Sequence, residues 1–162
     1  VRYKIVPPVR DRAFLAAAQR AVPLVPGTVE DCCLRIVDET TAPSRDAARE
    51  YLTFLQALEL VEETSRGFKR RQVDVEAVDL GDAFERRVFG ARELLAALRE
   101  TGSSTPEEAF EEMRGHVPRW ERDRRTDWEA EWRERTERLL DWGVTFGLAA
   151  SDGHRYRPDG RS

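Results

Sequence analysis

Histidine, lysine, methionine and cysteine are all scarce in this chain of 162 residues, and the scarcities exclude several kinds of chemistry. His116 and His154 are the only histidines, and neither stands at ligand spacing from a cysteine pair. A zinc site therefore has no ligand set. Cys32 and Cys33 are the only cysteines, and they are adjacent. A bridge between neighbouring cysteines strains the peptide between them, so both are expected reduced, as packing residues on a helix. No apolar run reaches the roughly 18 residues of a membrane-crossing helix, and no secretory leader is visible. The motifs GxxxxGK, GxGxxG and GxSxG are missing, which leaves neither a phosphate cradle nor a nucleophile elbow. The expectation is a cytoplasmic protein that is not an enzyme, with no cofactor, no metal, no catalytic residues and no membrane contact.

What is present is charge. Charged residues make up 36% of the chain, yet the formal net charge is only −4. The chain as a whole is therefore not a basic nucleic-acid binder, and any such binding must use a local patch. Lys4 and Lys69 are the only lysines, a usage that reads as GC-rich coding bias.

One stretch, Ser44 to Arg71, organises the rest: SRDAAREYLTFLQALELVEETSRGFKRR. Pro43 disfavours helix at Ala42, and Ser44 can cap the backbone N–H groups that follow. Ala48, Tyr51, Leu52, Leu55 and Leu58 recur at helical spacing and predict a buried stripe. The opposite face carries Arg45, Asp46, Arg49, Thr53 and Gln56. Leu60–Glu63 and Phe68–Arg71 are two short strands joined by a turn, with Gly67 able to take positive φ.

Two helices precede this stretch. Arg10 to Val22 carries the apolar stripe Phe14, Leu15, Ala18 and Val22, and Pro23 to Pro26 ends it. Thr28 caps the second, with Asp31 three residues on and a face of Val29, Cys33, Ile36 and Val37. Val1 to Val6 reads as a short strand stopped by Pro7-Pro8.

The order helix, helix, short turn, helix, hairpin resembles the winged helix-turn-helix transcription regulators. The resemblance implies a mainly α fold with small β-hairpin wings (α+β), and a helix that enters the DNA major groove. Arg45, Arg49, Thr53 and Gln56 would then face bases, where Arg suits guanine and Gln suits adenine. Arg66, Lys69, Arg70 and Arg71 on the wing would contact phosphate. Asp46 and Glu50 oppose DNA unless they pair with the arginines. The alternative on the same fold is a protein-interaction or dimerisation module that binds no nucleic acid.

The second half repeats the theme. Asp82 is expected to cap a helix that Gly90 ends or bends, and Leu94, Leu95 and Leu98 continue it. Thr105 followed by Pro106 is a strong helix start. Val117 to Arg125 is Arg-rich and helical, and Asp127 caps a long helix to Trp142. From Arg119 to Arg138, seven arginines face seven carboxylates, which predicts a salt-bridged surface and not a basic one. Trp128, Trp132, Leu139 and Trp142 share one face and read as core or as contact with a second copy or a protein partner. Asp152-Gly153 marks a closing hairpin, and the last residues read as a frayed tail.

Setting LQALELVEETSRGFKRR beside LDWGVTFGLAASDGHRYRP matches Val61 with Leu148 and Gly67 with Gly153, one residue dropped. The reading is a tandem winged helix-turn-helix, with one domain at 1–78 and a second at 79–162. The pattern of Asp141-Trp142-Gly143, Phe146, Leu148 and Asp152-Gly153 also resembles an accessory C-terminal domain of ABC-type transport ATPases, over Leu94 to Pro158 at most.

Overall fold

The computed structural model describes residues 2–124 and 126–159. The start of the expected strand at Val1, the end of the expected helix at Arg125 and the final residues 160–162 lie outside them. The chain divides into two units, Val1–Val88 and Phe89–Ser162.

The first unit begins with α1 (Arg12–Ala21), α2 (Val29–Glu39) and α3 (Arg45–Ala57). Each start has a side-chain cap: Asp11 accepts from the Phe14 N–H, Thr28 from Asp31 and Ser44 from Ala47. The buried stripes meet at Phe14 and Tyr51, whose rings lie edge to face at 4.7 Å. Tyr51 reaches beyond the core and donates its hydroxyl hydrogen to the Pro8 carbonyl at 2.7 Å. Phe54 is fully buried, which contributes about 2–3 kcal/mol through apolar burial.

A Schellman turn ends α3. The Leu60 N–H bonds to the Leu55 carbonyl and the Glu59 N–H to that of Gln56, with Glu59 left-handed at φ 65. Leu60 therefore belongs to the helix stop, and the first strand sits one residue later, the second one residue earlier, than the sequence suggests. They are β1 (Val61–Thr64) and β2 (Gly67–Arg70), antiparallel, with Val61 opposite Arg70 and Thr64 opposite Gly67. Gly27 joins them as a third edge by exchanging two hydrogen bonds with Phe68, both at 2.8 Å.

Beyond the hairpin, α4 (Leu80–Arg87) returns to the first unit. Its cap is Asp79, not the expected Asp82, whose own N–H is the donor. Phe84 packs against Phe54 at 6.4 Å. The expected N-terminal strand is reduced to one parallel bridge, Tyr3 with Val88. The 78/79 boundary read from the sequence falls just before this returning helix.

The second unit holds α5 (Ala91–Thr101), α6 (Pro106–Arg114), α7 (Arg119–Arg124), α8 (Trp128–Thr145), β3 (Ala149–Ser151) and β4 (Tyr156–Pro158). Thr105 and Glu108 form a reciprocal capping box behind Pro106. Asp127 precedes α8 but makes no side-chain cap. Phe110, Val117 and Trp132 form a buried cluster, with Phe89 and Trp128 packed against it. Trp132 and Trp142 are buried in this unit's own core, and Trp142 stacks on Phe146 at 5.5 Å.

The two units share a backbone plan. Leu148 bonds to the Gly143 carbonyl as Leu60 does to Leu55, and Gly147 is left-handed where Glu59 is. Asp159 bonds to the Leu148 carbonyl as Arg71 does to that of Leu60. Ser104 bridges Tyr156 as Gly27 bridges Phe68. The match read from sequence is thus one residue out: Leu60, not Val61, corresponds to Leu148. Gly67 corresponds to Arg155, and no residue is dropped. The error came from aligning on glycine, which serves different backbone positions in the two turns.

Candidate nucleic-acid interface

Ser44 fixes where α3 starts, and the helical period then decides which side chains leave the core. Arg45 and Arg49 are exposed, while Thr53 and Gln56 are partly exposed on the same face. Asp46 and Glu50 are neighbours in sequence, yet neither arginine forms an ion pair with them. Among the described residues, the two guanidinium groups are in no ion pair. Their field reaches the neighbouring helix: burial pushes the Cys33 thiol up, and Arg49 and Arg45 pull the other way.

A residue that sequence reading missed joins this end of the helix. Arg10 donates to the Thr41 hydroxyl, in the turn between α2 and α3. Its guanidinium also lies over the Phe14 ring, 4.0 Å from the centroid. Arg10 precedes the Asp11 cap of α1, so helical spacing gave no signal for it.

In the hairpin, the Thr64 hydroxyl accepts from the Arg66 N–H at 3.1 Å and donates to the Gly67 carbonyl at 2.9 Å. This fixes the turn and leaves Arg66 exposed. The remaining basic residues separate. Lys69 faces Glu62 across the strands at 3.4 Å. Arg70 falls on the other side of the pleat, opposite the buried Val61 and on the side of Phe68. Its Nε is buried and has no hydrogen-bond partner. Arg71 is exposed and donates from Nη1 to the Glu59 carbonyl at 3.0 Å. Lys69, Arg70 and Arg71 line one concavity with Leu24, and Arg66 lies at the exposed turn.

Electrostatics at the base of the hairpin come from Glu59. Arg86 lies 2.6 Å and Arg87 3.3 Å from its carboxylate. The Arg86 hydrogen bond is the chief reason its pKa is held below the ordinary glutamate value.

The second unit presents a different chemistry at the corresponding positions. The shift that relates Leu60 to Leu148 carries Arg45, Arg49, Thr53 and Gln56 onto Arg133, Glu137, Asp141 and Val144. It carries Arg66, Arg70 and Arg71 onto His154, Pro158 and Asp159. Arg133 is held by Glu107 at 3.0 Å, and Asp141 accepts the Tyr156 hydroxyl. Among the described residues, no group of three His, Cys, Asp or Glu side chains could hold a metal ion. No helix there is long and apolar enough to cross a membrane.

Two helical units, each closed by a hairpin that a third edge extends, define a double winged helix. The chain belongs to the halobacterial double winged helix domain family, whose match runs over residues 1–162. No curated protein and no solved structure matches it. The resemblance of the C-terminal half to an accessory domain of transport ATPases finds no support, because one winged-helix family accounts for the whole length.

Proposed function

We propose that the first unit binds duplex DNA and that the protein regulates transcription. The observation that carries this is the pair Arg45 and Arg49, exposed on one face of α3 and unpaired despite adjacent carboxylates. Thr53 and Gln56 extend the base-reading face, and Arg66, Lys69 and Arg71 contact phosphate. Arg10 adds a positive charge at the entry to α3. Arg70, turned inward, is not part of this surface.

A second reading applies to the second unit. Carboxylates at the Glu137 and Asp141 positions repel phosphate, so α8 and its hairpin serve contact with a protein or a second copy of the chain. Trp132 and Trp142 do not serve that contact, since they are buried within the unit, whereas Trp120 is about half exposed.

A titration of labelled duplex DNA over a range of salt tests the first reading. Affinity should fall with salt, with a log–log slope of about −0.9 for each phosphate neutralised. Arg45→Ala with Arg49→Ala should weaken binding, and Arg133→Ala should leave it unchanged. Absence of binding at low salt, or equal loss in both variants, would sink it.

A further inference from the structure

The inward turn of Arg70 opens a different question, because three arginines converge there on a concavity. A cavity of about 480 Å³ lies between α1 and the chain leaving β2. Arg20, Arg70 and Arg71 line it together with Leu24 and Val73. A second concavity of about 370 Å³ shares Leu24, Arg70, Arg71 and Val73, so the two form one groove.

The groove is net positive, with Arg20, Lys69, Arg70 and Arg71 on its walls against Asp74 and Glu62. Among the described residues none of the three arginines is in an ion pair, whereas Arg86, Arg114, Arg133 and Arg138 elsewhere are all paired. Two carboxylates border the groove, and each has a partner outside the three arginines. Asp74 accepts the Glu76 N–H at 2.8 Å, and Glu62 pairs with Lys69. Arg70 has a buried Nε without a partner, and an unsatisfied buried donor favours any anion that lowers its cost.

The walls are firm and partly apolar. Gln19 is buried, and its side-chain amide donates to the Val73 carbonyl at 2.9 Å and to that of Arg71 at 3.2 Å. These bonds lock the chain leaving β2 against α1. Leu24 stands at the rim with half of its surface exposed, although it is a large apolar side chain. Small-ligand sites have this form: a concavity of about 300–1,000 Å³ with apolar walls and a few placed polar groups.

We propose that this groove is a binding site for a small organic anion, a carboxylate carried on an apolar body. The carboxylate meets the guanidinium groups of Arg70, Arg20 and Arg71, and the apolar body covers Leu24 and Val73. The site shares Arg71 with the proposed phosphate contacts, while Arg20, Arg70 and Leu24 belong to it alone, so Arg70→Gln and Leu24→Asp test it separately from the DNA reading.

The test is a 1H–15N NMR titration of the full chain with 2-naphthoate, its neutral amide 2-naphthamide and inorganic phosphate. Naphthoate should shift the Arg20, Leu24, Val73 and Asp74 amides saturably. The amide and phosphate should each bind about ten-fold more weakly or worse, because each lacks one half of the recognised chemistry. Arg70→Gln should weaken naphthoate by about ten-fold, which corresponds to about 1.4 kcal/mol. Leu24→Asp, at an exposed position the fold tolerates, should abolish the shifts. No saturable shift with naphthoate overturns the proposal. So does equal binding of the amide, or naphthoate binding that neither variant changes.

Discussion

The carbonyl group of Gly27 occupies the space where a side chain on Gly67 would have to go. A Cβ built on Gly67 would meet the Gly27 oxygen and lie 2.9 Å from the Gly27 carbonyl carbon. Gly67 also holds φ at +130. The hairpin's third edge thus depends on a missing side chain. Gly67→Ala is expected to destabilise by about 3 kcal/mol, from a backbone region that L residues rarely occupy plus the clash. Gly153→Ala, in the second hairpin's turn at φ +95 with open space around it, should cost about 1 kcal/mol. Urea unfolding of both variants measures the difference, and equal losses would contradict the close approach.

Glu59 should make stability depend on acid. Its left-handed φ of 65 is a position where glycine is usual, and its carboxylate holds Arg86 and Arg87. A carboxylate with a depressed folded pKa stabilises above its unfolded value, about 4.3. That contribution is lost as pH falls towards the folded value. The pair is partly exposed, so its worth at pH 7 is below about 1 kcal/mol. Glu59→Gln should therefore lose less stability than the parent between pH 7 and pH 3. Parallel acid slopes in urea melts would remove Glu59 from the account.

Tyr156 gives the opposite sign at the alkaline end. Burial raises its pKa, and the hydrogen bond to Asp141 raises it further. A phenol with a raised folded pKa stabilises fully below its unfolded value, about 10, and the contribution is lost as pH rises above that. Tyr156→Phe should cost about 1 kcal/mol at pH 7 and flatten the alkaline limb of the stability curve. An alkaline limb unchanged by the substitution would contradict this.

The adjacent cysteines should be inert in the folded chain. Cys32 is fully buried, and burial with the Asp31 charge pushes its thiol up to about 11. Cys33 is also buried and raised. Since the thiolate is the nucleophile, iodoacetamide at pH 8 should label neither until urea unfolds the protein. Labelling at native rates close to those of the unfolded chain would show that the α2 core opens.

Much of the architecture was legible because it rests on local rules. Ser44, Thr28 and Thr105 cap the helices they announce, since a cap bonds only a few residues away. The stripes Phe14, Leu15, Ala18 and Tyr51, Leu52, Leu55 are buried as their spacing predicts. The start at Asp79 was less legible, because Asp79 and Asp82 both precede the apolar residues and only backbone geometry selects between them. The start behind Asp127 was legible, although its side chain makes no cap bond.

By itself the sequence determined the helices, their buried faces and the order that makes each unit a winged helix. Periodicity and capping are short-range, so one chain suffices to show them. Tertiary structure decided the rest. The third edge at Gly27 and the return of α4 to Phe54 join residues far apart in sequence, and the corrected match of Leu60 with Leu148 rests on backbone bonds that residue types do not reveal. It also decided the fate of the stretch Arg66 to Arg71. A strand's pleat sends neighbouring side chains to opposite faces, so a basic cluster in sequence became an exposed Arg66, a paired Lys69 and an inward Arg70.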